Sequence, residues 1–536
     1  MIRDQLAAAV ADALRGLGVD PPDSIPLERP ARREHGDWSC TVALQLAKAA
    51  KRNPRELGTQ LAEALRAAPP PHVIQVEVAG PGFVNFHLAE TWLHEVLHEV
   101  AGAGADYARP DVGAGAKVNV EFISANPNKP IHAGHGRGAC LGDGIARLLE
   151  RTGHVVTREY LLNDRGAQMQ LFAASLAARK AGQEPPDDGY QGEYLIEWAA
   201  EMPDGADPFE WGRDRAVASH RATAERLGIV FDVWHSERSM VASGAIEQTL
   251  ADLRTRSKVF DADDAVWFRA TDYGDDKDRV LVKSDGDYTY LAPDIAYHRD
   301  KYARGFDHLV DVWGADHHGY VTRMRAAIEA LGHDPESFEV VITQMVDLVR
   351  DGEEVKMSGR EGNFITLDWL LDQVGPDAAR FTYLQQSADT RLTFDLDLVA
   401  RQTLDNPVYY VQYAHARICR MLRRAGDDYG VVRPPAAEVD LAPLVHEREL
   451  DIARTLATLP EIVALAARER APHKIVTWLR ELAGNVQSFY QDDDMRVLGD
   501  GIDPAVTQAR LALVEAARTG LRIGLDLVGV GAPEQM

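Results

Sequence analysis

The chain has 536 residues, of which 45% are hydrophobic and 26% charged, and its formal net charge is −25. This length is too great for one hydrophobic core and predicts about three or four domains of an ordinary globular protein. No run approaches about 18 consecutive apolar residues, so no membrane span is expected, and acidic residues within the amphipathic N-terminal segment argue against a signal peptide. The negative charge opposes general nucleic-acid binding, but binding depends on where lysines and arginines cluster.

The cysteine content indicates a reducing compartment. The three cysteines, Cys40, Cys140 and Cys419, are far apart and odd in number. We therefore expect free thiols in a cytoplasmic protein. No group of cysteines and histidines has the spacing of a zinc site, and no metal-binding residue is expected.

Residues 1 to about 110 are predicted to form a first domain of mixed helix and strand. Two runs that alternate apolar and polar residues, His72–Val78 and Phe83–Leu88, are joined by Gly80-Pro81-Gly82 and predict a β-hairpin. Helical patterns cover three segments before this hairpin: Arg3–Leu17, Ser39–Lys51 and Pro54–Ala67.

The next stretch predicts a strand, a loop, a helix and a second strand. Val118–Ile123 is rich in β-forming residues, and the loop Ser124–Pro130 follows it. Beyond this loop, Val155–Leu162 is the second strand-like run. Between them the apolar residues have the spacing of one helix face: Leu141, Ile145, Leu148 and Leu149.

Two histidines lie where this helix begins. His132 and His135 are three residues apart, and together with the unpaired N–H groups of a helix N-terminus they are suited to bind phosphate oxygens. Gly134 and the glycines after it allow a ligand to approach the backbone closely. A glycine-rich turn with incidental histidines is the alternative interpretation of this pattern taken alone.

Residues 111–375 alternate between strand-like and helical patterns, which predicts a doubly wound parallel sheet. The interval from about 174 to 261 is less regular, and we interpret it as an insertion between the two halves of the sheet. After it, strand patterns recur in four segments: Ala265–Ala270, Val280–Ser284, His308–Trp313 and Val340–Met345.

The segment Gly314–Gly319 follows one of these strands. Because ligands bind at the carboxyl ends of parallel strands, this segment is expected to line a binding site. A metal site formed by Asp316, His317 and His318 is the less favoured interpretation, since adjacent histidines rarely point the same way.

The remainder of the chain is predicted to be nearly all helix, from about Thr393 to Leu527. The helix Pro407–Ala425 carries four arginines near its end: Arg417, Arg420, Arg423 and Arg424. A second basic group follows: Arg468, Arg470, His473 and Lys474. These residues form either a solvated face or an RNA-binding surface.

Several of these motifs resemble one enzyme family. Ser124-Ala125-Asn126-Pro127, followed by His132-Ala133-Gly134-His135-Gly136-Arg137, resembles the "HIGH" signature of class I aminoacyl-tRNA synthetases as it is written in arginyl-tRNA synthetases. Asp377-Ala378-Ala379-Arg380 resembles the Asp-Ala-Leu-Arg tetrad of the anticodon-binding domain, with alanine in place of leucine. The resemblance covers essentially the whole chain.

The fold that the resemblance implies is multidomain α/β. It consists of an α+β N-terminal domain over 1–110, a class I Rossmann-like catalytic domain over 111–375 with an insertion at about 174–261, and an all-α C-terminal anticodon-binding domain over 376–536.

The resemblance also implies an ATP site. It assigns phosphate binding to His132 and His135, and space for adenine and ribose to Gly134. The second class I signature, a mobile Lys-Met-Ser-Lys-Ser loop, here reads Lys356-Met357-Ser358-Gly359-Arg360, with glycine in place of the second lysine. Some family members with a degenerate loop carry a lysine where this chain has Lys129, and that lysine is thought to compensate. The implied catalytic residues also include Lys356, and further ATP contacts are implied at four positions: Asp316, Met357, Ser358 and Arg360.

An arginine pocket is implied by two further motifs. The family pattern EF-x-S-x-N places Glu121 and Asn126 at the α-amino end of the substrate. The pattern Y-L-x-x-D matches Tyr290 and Asp294, which would hold the guanidinium. A guanidinium is always charged and carries five donors, so its pocket needs carboxylates and other acceptors. Each of these residues taken singly has a surface or capping role as its alternative.

The same resemblance implies tRNA contacts. Phe83 and Asn85 match the family segment that contacts a base of the tRNA D-loop, with one ring for stacking and one amide for base edges. The alternative is a core strand residue at Phe83 and a turn residue at Asn85. On the C-terminal domain, the implied tRNA contacts are Arg417, Arg420 and Arg424.

The implied reaction is activation of L-arginine by ATP with Mg²⁺ to arginyl-adenylate, followed by transfer to the terminal adenosine of tRNA(Arg). A monomer is expected. One alternative is a related nucleotidyltransferase that adenylylates a small molecule without RNA. The other is a non-catalytic tRNA-binding paralogue that has lost the second loop lysine.

Overall fold

The computed structural model describes residues 2–30, 32–355 and 364–536. The chain divides into two compact units. The first consists of Met1–Gly104, Ala425–Ala457 and Ser488–Ala517. The second consists of Ala105–Arg424, Thr458–Gln487 and Arg518–Met536. Since the residues after 376 belong partly to each unit, the division into domains 1–110, 111–375 and 376–536 stays a prediction.

The part of the chain before Gly104 combines four helices with an antiparallel sheet of order β1-β2-β4-β3. Its elements are α1 (Ile2–Gly16), β1 (Leu27–Glu28), β2 (Trp38–Cys40), α2 (Val42–Leu46), α3 (Pro54–Ala67), β3 (Val73–Ala79), β4 (Phe83–Leu88) and α4 (Thr91–Ala103). Helix α3 has the predicted bounds because Asn53 caps it, accepting hydrogen bonds from the N–H groups of Arg55 and Glu56, and Pro54 occupies its first turn. The predicted hairpin is confirmed as β3 and β4.

The helix predicted over Ser39–Lys51 is wrong at its beginning. Trp38 and Cys40 are both buried with Ser39 between them, and these three residues form β2, which pairs with β4. The alternation of buried and less buried residues is that of a strand, and the pairing satisfies the backbone groups that a helix would otherwise use. Only Val42–Leu46 is helical.

The second unit is built around a five-stranded sheet of order β12-β11-β5-β6-β7, in which every pair of neighbours is parallel. The first half of this sheet and its connections are β5 (Lys117–Glu121), α5 (His135–Arg151), β6 (Val155–Leu162), α6 (Ala167–Lys180), α7 (Glu193–Glu201), α8 (Pro208–Arg226) and β7 (Val233–Ser236). This strand order is that of a doubly wound fold whose order reverses between β5 and β11, where ligands bind. The predicted parallel sheet is confirmed.

The second half begins after β7. Its elements are α9 (Glu237–Ala242), α10 (Ala245–Thr255), β8 (Val259–Ala262), β9 (Ala265–Phe268), β10 (Arg279–Val282), α11 (Leu291–Ala303), β11 (His308–Gly314), α12 (Val321–Ala330) and β12 (Phe338–Thr343). Strands β8, β9 and β10 form a separate antiparallel sheet. The strands predicted at Ala265–Ala270 and Val280–Ser284 therefore exist but do not belong to the parallel sheet.

The predicted insertion at about 174–261 also needs correction. It contains β7, which is the edge strand of the parallel sheet. Helices α6, α7 and α8, called the crossover helices below, therefore connect two adjacent strands, β6 and β7. Strand β7 is only four residues long, Val-Trp-His-Ser, and too short to give a clear pattern of alternation.

Short elements follow the sheet, and long helices complete the chain. They are β13 (Val346–Arg350), β14 (Glu353–Glu354), α13 (Leu367–Val374), α14 (Pro376–Tyr383), β15 (Leu392–Asp395), α15 (Leu396–Val399), α16 (Pro407–Asp427), α17 (Glu447–Arg468), α18 (His473–Gln491) and α19 (Pro504–Leu527). Among the helices within the described ranges, none is long and apolar enough to cross a membrane. All three cysteines are free thiols and are buried.

Candidate active site

The segment that contains His132 is fixed by hydrogen bonds on both sides. Ala133 N–H donates to the Ile365 carbonyl at 2.9 Å, and Leu367 N–H donates to the Ile131 carbonyl at 2.8 Å. On the other side, the buried Tyr383 hydroxyl of α14 donates to the Ala133 carbonyl at 2.9 Å. The backbone that leads into α5 is therefore held in one position before any ligand binds.

The two imidazoles lie at the beginning of α5, with ring centroids 6.4 Å apart. His132 Nδ1 accepts a hydrogen bond from Gly134 N–H at 2.9 Å, so in the neutral ring the proton is on Nε2. A side chain at position 134 would place its Cβ 3.0 Å from the same Nδ1, so only glycine fits there without displacing the ring.

Both imidazoles are neutral at pH 7. Burial, with the nearby His135 and Lys129, lowers the pKa of His132 to about 4. Burial and Lys129 also lower the pKa of His135, whose Nδ1 is buried with no hydrogen-bond partner in the part of the chain that the structure describes. Neutral imidazole N–H groups and the unpaired N–H groups of the first turn of α5 are donors suited to an oxyanion.

Lys129 supplies a positive charge beside these rings. Its Nζ lies 5.5 Å from the centroid of the Phe364 ring, and that ring stacks on His132 at 5.8 Å. Since the Phe364 ring contacts both Lys129 and His132, the ammonium lies in the same cluster, where its charge acts to lower the pKa of both histidines. The structure thus brings together three of the predicted catalytic residues. Lys356, Met357, Ser358 and Arg360 lie outside the described residues.

A buried ion-pair network lies under the carboxyl ends of β5 and β11. Lys301 of α11 is fully buried, and its Nζ donates to Glu121 Oε2 at 2.6 Å and to Asp311 Oδ1 at 3.0 Å. Burial alone would lower the pKa of Lys301, but Asp311 and Glu121 outweigh it and raise that pKa. Burial raises the pKa of Glu121, although Lys301 opposes the shift. Ser124 Oγ donates to the other oxygen of Glu121 at 2.8 Å.

Asp294 lies beside this network on α11. Its half-buried carboxylate accepts a hydrogen bond from the Tyr320 hydroxyl at 2.5 Å. Burial raises the pKa of Asp294 to about 6. One turn further along α11, His298 contacts the Asp294 carbonyl through Nδ1 at 2.8 Å and Asp311 Oδ2 through Nε2 at 2.9 Å. Tyr290 is 88% exposed, so its ring is not packed against Asp294.

Asn126 and Asp316 complete the predicted set. Asn126 Nδ2 donates to Gln168 Oε1 at 2.8 Å, and its Oδ1 accepts from Asn163 Nδ2 at 3.1 Å. Asp316 lies in the 3-10 turn Ala315–Tyr320, where its side chain is exposed, and its charge acts to raise the pKa of His135. In the described segments, no three histidine, cysteine, aspartate or glutamate side chains form a metal-ligand cluster.

Comparison with known proteins decides the family. Three family models match in succession: "Arginyl tRNA synthetase N terminal domain" over residues 2–88, "tRNA synthetases class I (R), catalytic domain" over 102–187 and 201–393, and "DALR anticodon binding domain" over 411–536. The chain is 46% identical to the arginine–tRNA ligase of Frankia alni, with 100% of this chain and 99% of the relative covered. It is 42% identical to arginine–tRNA ligase 1 of Halalkalibacterium halodurans, with the same coverage. The chain belongs to the arginyl-tRNA synthetase family.

Solved structures agree with this assignment. A Campylobacter jejuni crystal structure described as an arginyl-tRNA synthetase matches 84% of this chain and 100% of its own, with 32% identity and a TM-score of 0.75. The Thermus thermophilus arginyl-tRNA synthetase covers both chains completely with a TM-score of 0.77 at 24% identity, which supports the fold. The protein is thus an arginine–tRNA ligase that uses ATP, and both alternatives, a small-molecule nucleotidyltransferase and a silent paralogue, are wrong.

The N-terminal residues predicted to contact tRNA differ in accessibility. Phe83 is half-buried at the beginning of β4. Asn85 is 3% exposed, and its Oδ1 accepts a hydrogen bond from Ser39 Oγ at 2.7 Å. Contact of the synthetase with a base through Asn85 would therefore need this amide to be uncovered.

The basic groups of the C-terminal helices are partly neutralised. Arg417 is half-buried and donates to Gln487 Oε1 at 3.2 Å, whereas Arg420 and Arg424 are exposed. In the second group, Arg470 pairs with Glu339 at 3.0 Å and Lys474 pairs with Glu469 at 3.0 Å. On α16, Arg423 also pairs with Glu534 at 3.5 Å, so phosphate contact by either group stays a prediction.

The tetrad Asp377–Arg380 lies outside the matched anticodon-binding region and has a packing role in the synthetase. Arg380 is 1% exposed and forms an ion pair with Asp143 of α5. It also donates to the carbonyls of Leu227 at 2.7 Å and Val528 at 3.0 Å. The arginine therefore satisfies buried acceptors and is not available to RNA.

Several residues of the site were missed in the sequence: Lys301, His298, Tyr320 and Asp311. The sequence contains a pattern that indicates Lys301 and His298. Asp294, His298 and Lys301 recur at i, i+4 and i+7, so they share one face of a helix whose other core residues are apolar. Ionisable residues at core spacing indicate a buried polar network.

Proposed function

We propose that the two sides of this site have separate tasks. The phosphate side, defined as Lys129, His132 and His135, binds ATP. The arginine side, defined as Glu121, Asp294 and Asp311 with Lys301, binds the amino acid. The observation that carries this proposal is the cluster of one ammonium and two neutral imidazoles at the beginning of α5, because it brings a positive charge and ring N–H donors close together.

On the phosphate side, His132 Nε2–H, His135 and the first turn of α5 donate to the phosphate oxygens, while Gly134 leaves room for adenine and ribose. The arginine carboxylate oxygen forms a bond to the α-phosphorus, and the bond from that phosphorus to the bridging oxygen breaks. Pyrophosphate then leaves with the electron pair. The catalysis consists of positioning and of stabilising charge on the oxygens.

Lys129 provides the charge that Gly359 cannot provide. Lys356, with Met357, Ser358 and Arg360, contacts the pyrophosphate from the other loop, and Asp316 lines the ATP site. Mg²⁺ would be held mainly by the phosphates of ATP and would supply neutralisation of their charge. The neutral imidazoles and single ammonium around α5 are compatible with a nucleotide that brings its own cation.

On the arginine side, Asp294 and Tyr290 hold the guanidinium, and Glu121 and Asn126 hold the α-amino end. A carboxyl whose pKa is about 6 is mostly ionised at pH 7, which supports pairing of Asp294 with a permanently charged guanidinium. Tyr320 orients this carboxylate through its hydrogen bond.

In the second step, the terminal adenosine of tRNA(Arg) attacks the carbonyl of the adenylate, and AMP leaves. Phe83 and Asn85 contact the D-loop, and the exposed arginines of α16, Arg420 and Arg424, with Arg417, contact phosphates. We propose that residues 1–110, 111–375 and 376–536 act as the corresponding modules of a cytoplasmic monomer.

The test is pyrophosphate exchange with Lys129→Ala. We expect kcat/KM for ATP to fall by about 100-fold, since removing one preorganised charge from such a site costs roughly 3 kcal/mol, while KM for arginine stays unchanged. Lys258→Ala is the matched control, because that lysine also lies over an aromatic ring, at 5.1 Å from Tyr273, but on the separate β8–β10 sheet segment. Unchanged exchange in Lys129→Ala would contradict the proposal.

A further inference from the structure

The loop that carries Lys129 is closed by a chain of hydrogen bonds. Ala125 N–H donates to the Tyr160 hydroxyl oxygen at 3.1 Å. That hydroxyl lies 2.9 Å from His220 Nδ1, and His220 Nε2 lies 2.8 Å from the Lys129 carbonyl oxygen. Tyr160 belongs to β6 and His220 to the crossover helix α8. The chain therefore joins both ends of the segment 125–129 through two residues that are distant in sequence.

The Lys129 carbonyl at one end of this series of hydrogen bonds determines the direction of the bonds on both sides of His220. A carbonyl oxygen only accepts, so His220 Nε2 carries the proton that is donated to Lys129. Both His220 and Tyr160 are 0% exposed, and burial lowers the pKa of His220 to about 4, so the ring is neutral. Its Nδ1 is then an acceptor, and the Tyr160 hydroxyl donates to it. This contact is shorter than the 3.2 Å from the same hydroxyl to the Ala125 carbonyl.

A second set of contacts holds the residue next to Lys129. Asn128 is 2% exposed; its Nδ2 donates to the Tyr190 hydroxyl at 2.8 Å, and the Tyr194 hydroxyl donates to its carbonyl at 3.0 Å. The Tyr194 ring also meets Phe364 edge-on at 6.1 Å, and Phe364 is the ring beside the Lys129 ammonium. Residues 128 and 129 thus have their backbone carbonyls fixed from α7 and α8.

His220 cannot itself touch a substrate. Its side chain is fully buried, and both ring nitrogens are engaged within the protein. A role in the reaction must therefore pass through the backbone that it holds. A displacement of about 1 Å in a positioned group can reduce a rate about 100-fold, so the support of a loop is sufficient to affect catalysis.

We infer that His220 is a positioning residue for Lys129, and that the crossover helices hold the loop from which this lysine reaches the phosphates. The inference depends on the proposed role of Lys129. The crossover helices would then support catalysis in addition to connecting β6 to β7. The Lys129 ammonium, on a flexible four-carbon chain, is directed toward His132 and His135 only if its backbone is held.

The test compares His220→Leu with His220→Gln in pyrophosphate exchange. Leucine leaves the Lys129 carbonyl without its donor, whereas the glutamine amide can restore that donor. We expect kcat/KM for ATP to fall about tenfold in His220→Leu and to return to within about threefold of the parent in His220→Gln. Asn126 belongs to the same loop, but its side chain is held separately by Gln168 and Asn163. KM for arginine should therefore change less than kcat/KM for ATP in both variants.

A double-mutant cycle with Lys129→Ala separates positioning from general stability. If His220 acts through Lys129, His220→Leu has no further effect on exchange when position 129 is alanine. Equal losses in both backgrounds would overturn the inference, as would parental exchange in His220→Leu while Lys129→Ala is impaired. If Lys129→Ala itself is unimpaired, the proposed function fails first, and the two failures are distinguished.

Single hydroxyl deletions serve if His220→Leu does not fold. Tyr160→Phe and Tyr194→Phe each remove one hydrogen bond from the support and should reduce exchange about threefold, again with no effect in the Lys129→Ala background. Tyr302→Phe is the matched control, because its half-buried hydroxyl contacts Ser337 Oγ at 2.7 Å and does not contact the loop. Loss of exchange in Tyr302→Phe equal to that in Tyr160→Phe would overturn the inference.

Discussion

The phosphate side and the arginine side respond differently to burial. On the phosphate side, burial lowers the pKa of His132 to about 4, so the ring is uncharged at pH 7. On the arginine side, burial raises the pKa of Asp294 to about 6, so its carboxyl is mostly ionised at the same pH. Burial favours the neutral form in both cases, but only the imidazole reaches it under physiological conditions.

This difference indicates what each side requires from the fold. Neutral imidazoles need no counter-charge, so the phosphate side depends on exact placement of its donors by hydrogen bonds to the backbone. On the arginine side, Asp294 is mostly ionised at pH 7, and the Lys301 ammonium donates to both Glu121 and Asp311 from within the protein. Removing one charge from the arginine side should therefore reduce activity strongly. Removing one positioning hydrogen bond from the phosphate side should reduce activity less.

The largest expected effect is that of Asp294→Asn. Removal of the charge that pairs with the guanidinium should reduce kcat/KM for arginine by about 1,000-fold, roughly 4 kcal/mol, with KM for ATP unchanged in pyrophosphate exchange. Asp300→Asn is the control on the same helix, since Asp300 pairs with Arg304 at 2.9 Å. Equal losses for arginine and ATP would show that the two sides are not separate.

Lys301→Met should cause the next largest change, and it should affect stability. Glu121 and Asp311 would be left without their shared cation, which costs about 3 kcal/mol of folding free energy in chemical denaturation. Because Glu121 can take up a proton instead, the loss should be smaller at pH 5 than at pH 8. Lys180→Met, which breaks an ion pair with the exposed Asp204, should cost less than about 1 kcal/mol; a similar cost in both variants would contradict the role of burial.

The pH dependence of arginine use should report Asp294 directly. Arginine binds the ionised carboxyl, so protonation competes with binding as the pH falls through about 6. We expect kcat/KM for arginine to fall about tenfold from pH 7 to pH 5, about 1.4 kcal/mol. His132 stays neutral over this range. The fall should be absent in Asp294→Asn, and its persistence there would assign it to another group.

Of the effects that compare the two sides, that of Tyr383→Phe should be the smallest, and it acts on the phosphate side. It removes only the hydroxyl that donates to the Ala133 carbonyl. That carbonyl also accepts from Gly136 N–H at 3.0 Å, so the expected loss in kcat is about fivefold, roughly 1 kcal/mol. Exchange measured at saturating ATP and arginine checks this, and a loss as large as that of Asp294→Asn would reverse the proposed ranking of the two sides.

The sequence predicts those elements whose pattern is contained in the element itself or in its immediate neighbours. The strand, loop and helix around His132 follow from periodicity, and helix α3 follows from its cap and proline. Strand β2 was assigned to a helix because its pairing with β4 lies about 45 residues away in the chain. Strands β9 and β10 were assigned to the parallel sheet because a strand pattern does not reveal its neighbours.

The same limit applies to the site. Glu121, Asp294 and the histidines could be predicted as site residues because they belong to recognisable motifs. Lys301 and His220 have no motif, and their roles depend on contacts 180 and 91 residues away. These contacts depend on the topology of the sheet. It places α8 against the loop that follows β5, and α11 against the carboxyl end of β5.

The burial of the three native thiols has a practical consequence. Burial raises the pKa of Cys40 to about 11 and of Cys140 to about 12, and it also raises the pKa of Cys419. Thiolates are the reactive species toward maleimides, so all three should be modified slowly in the folded protein. A cysteine introduced at the exposed position 420 would then be labelled selectively, and a fluorophore there could report the approach of RNA without prior removal of any natural cysteine.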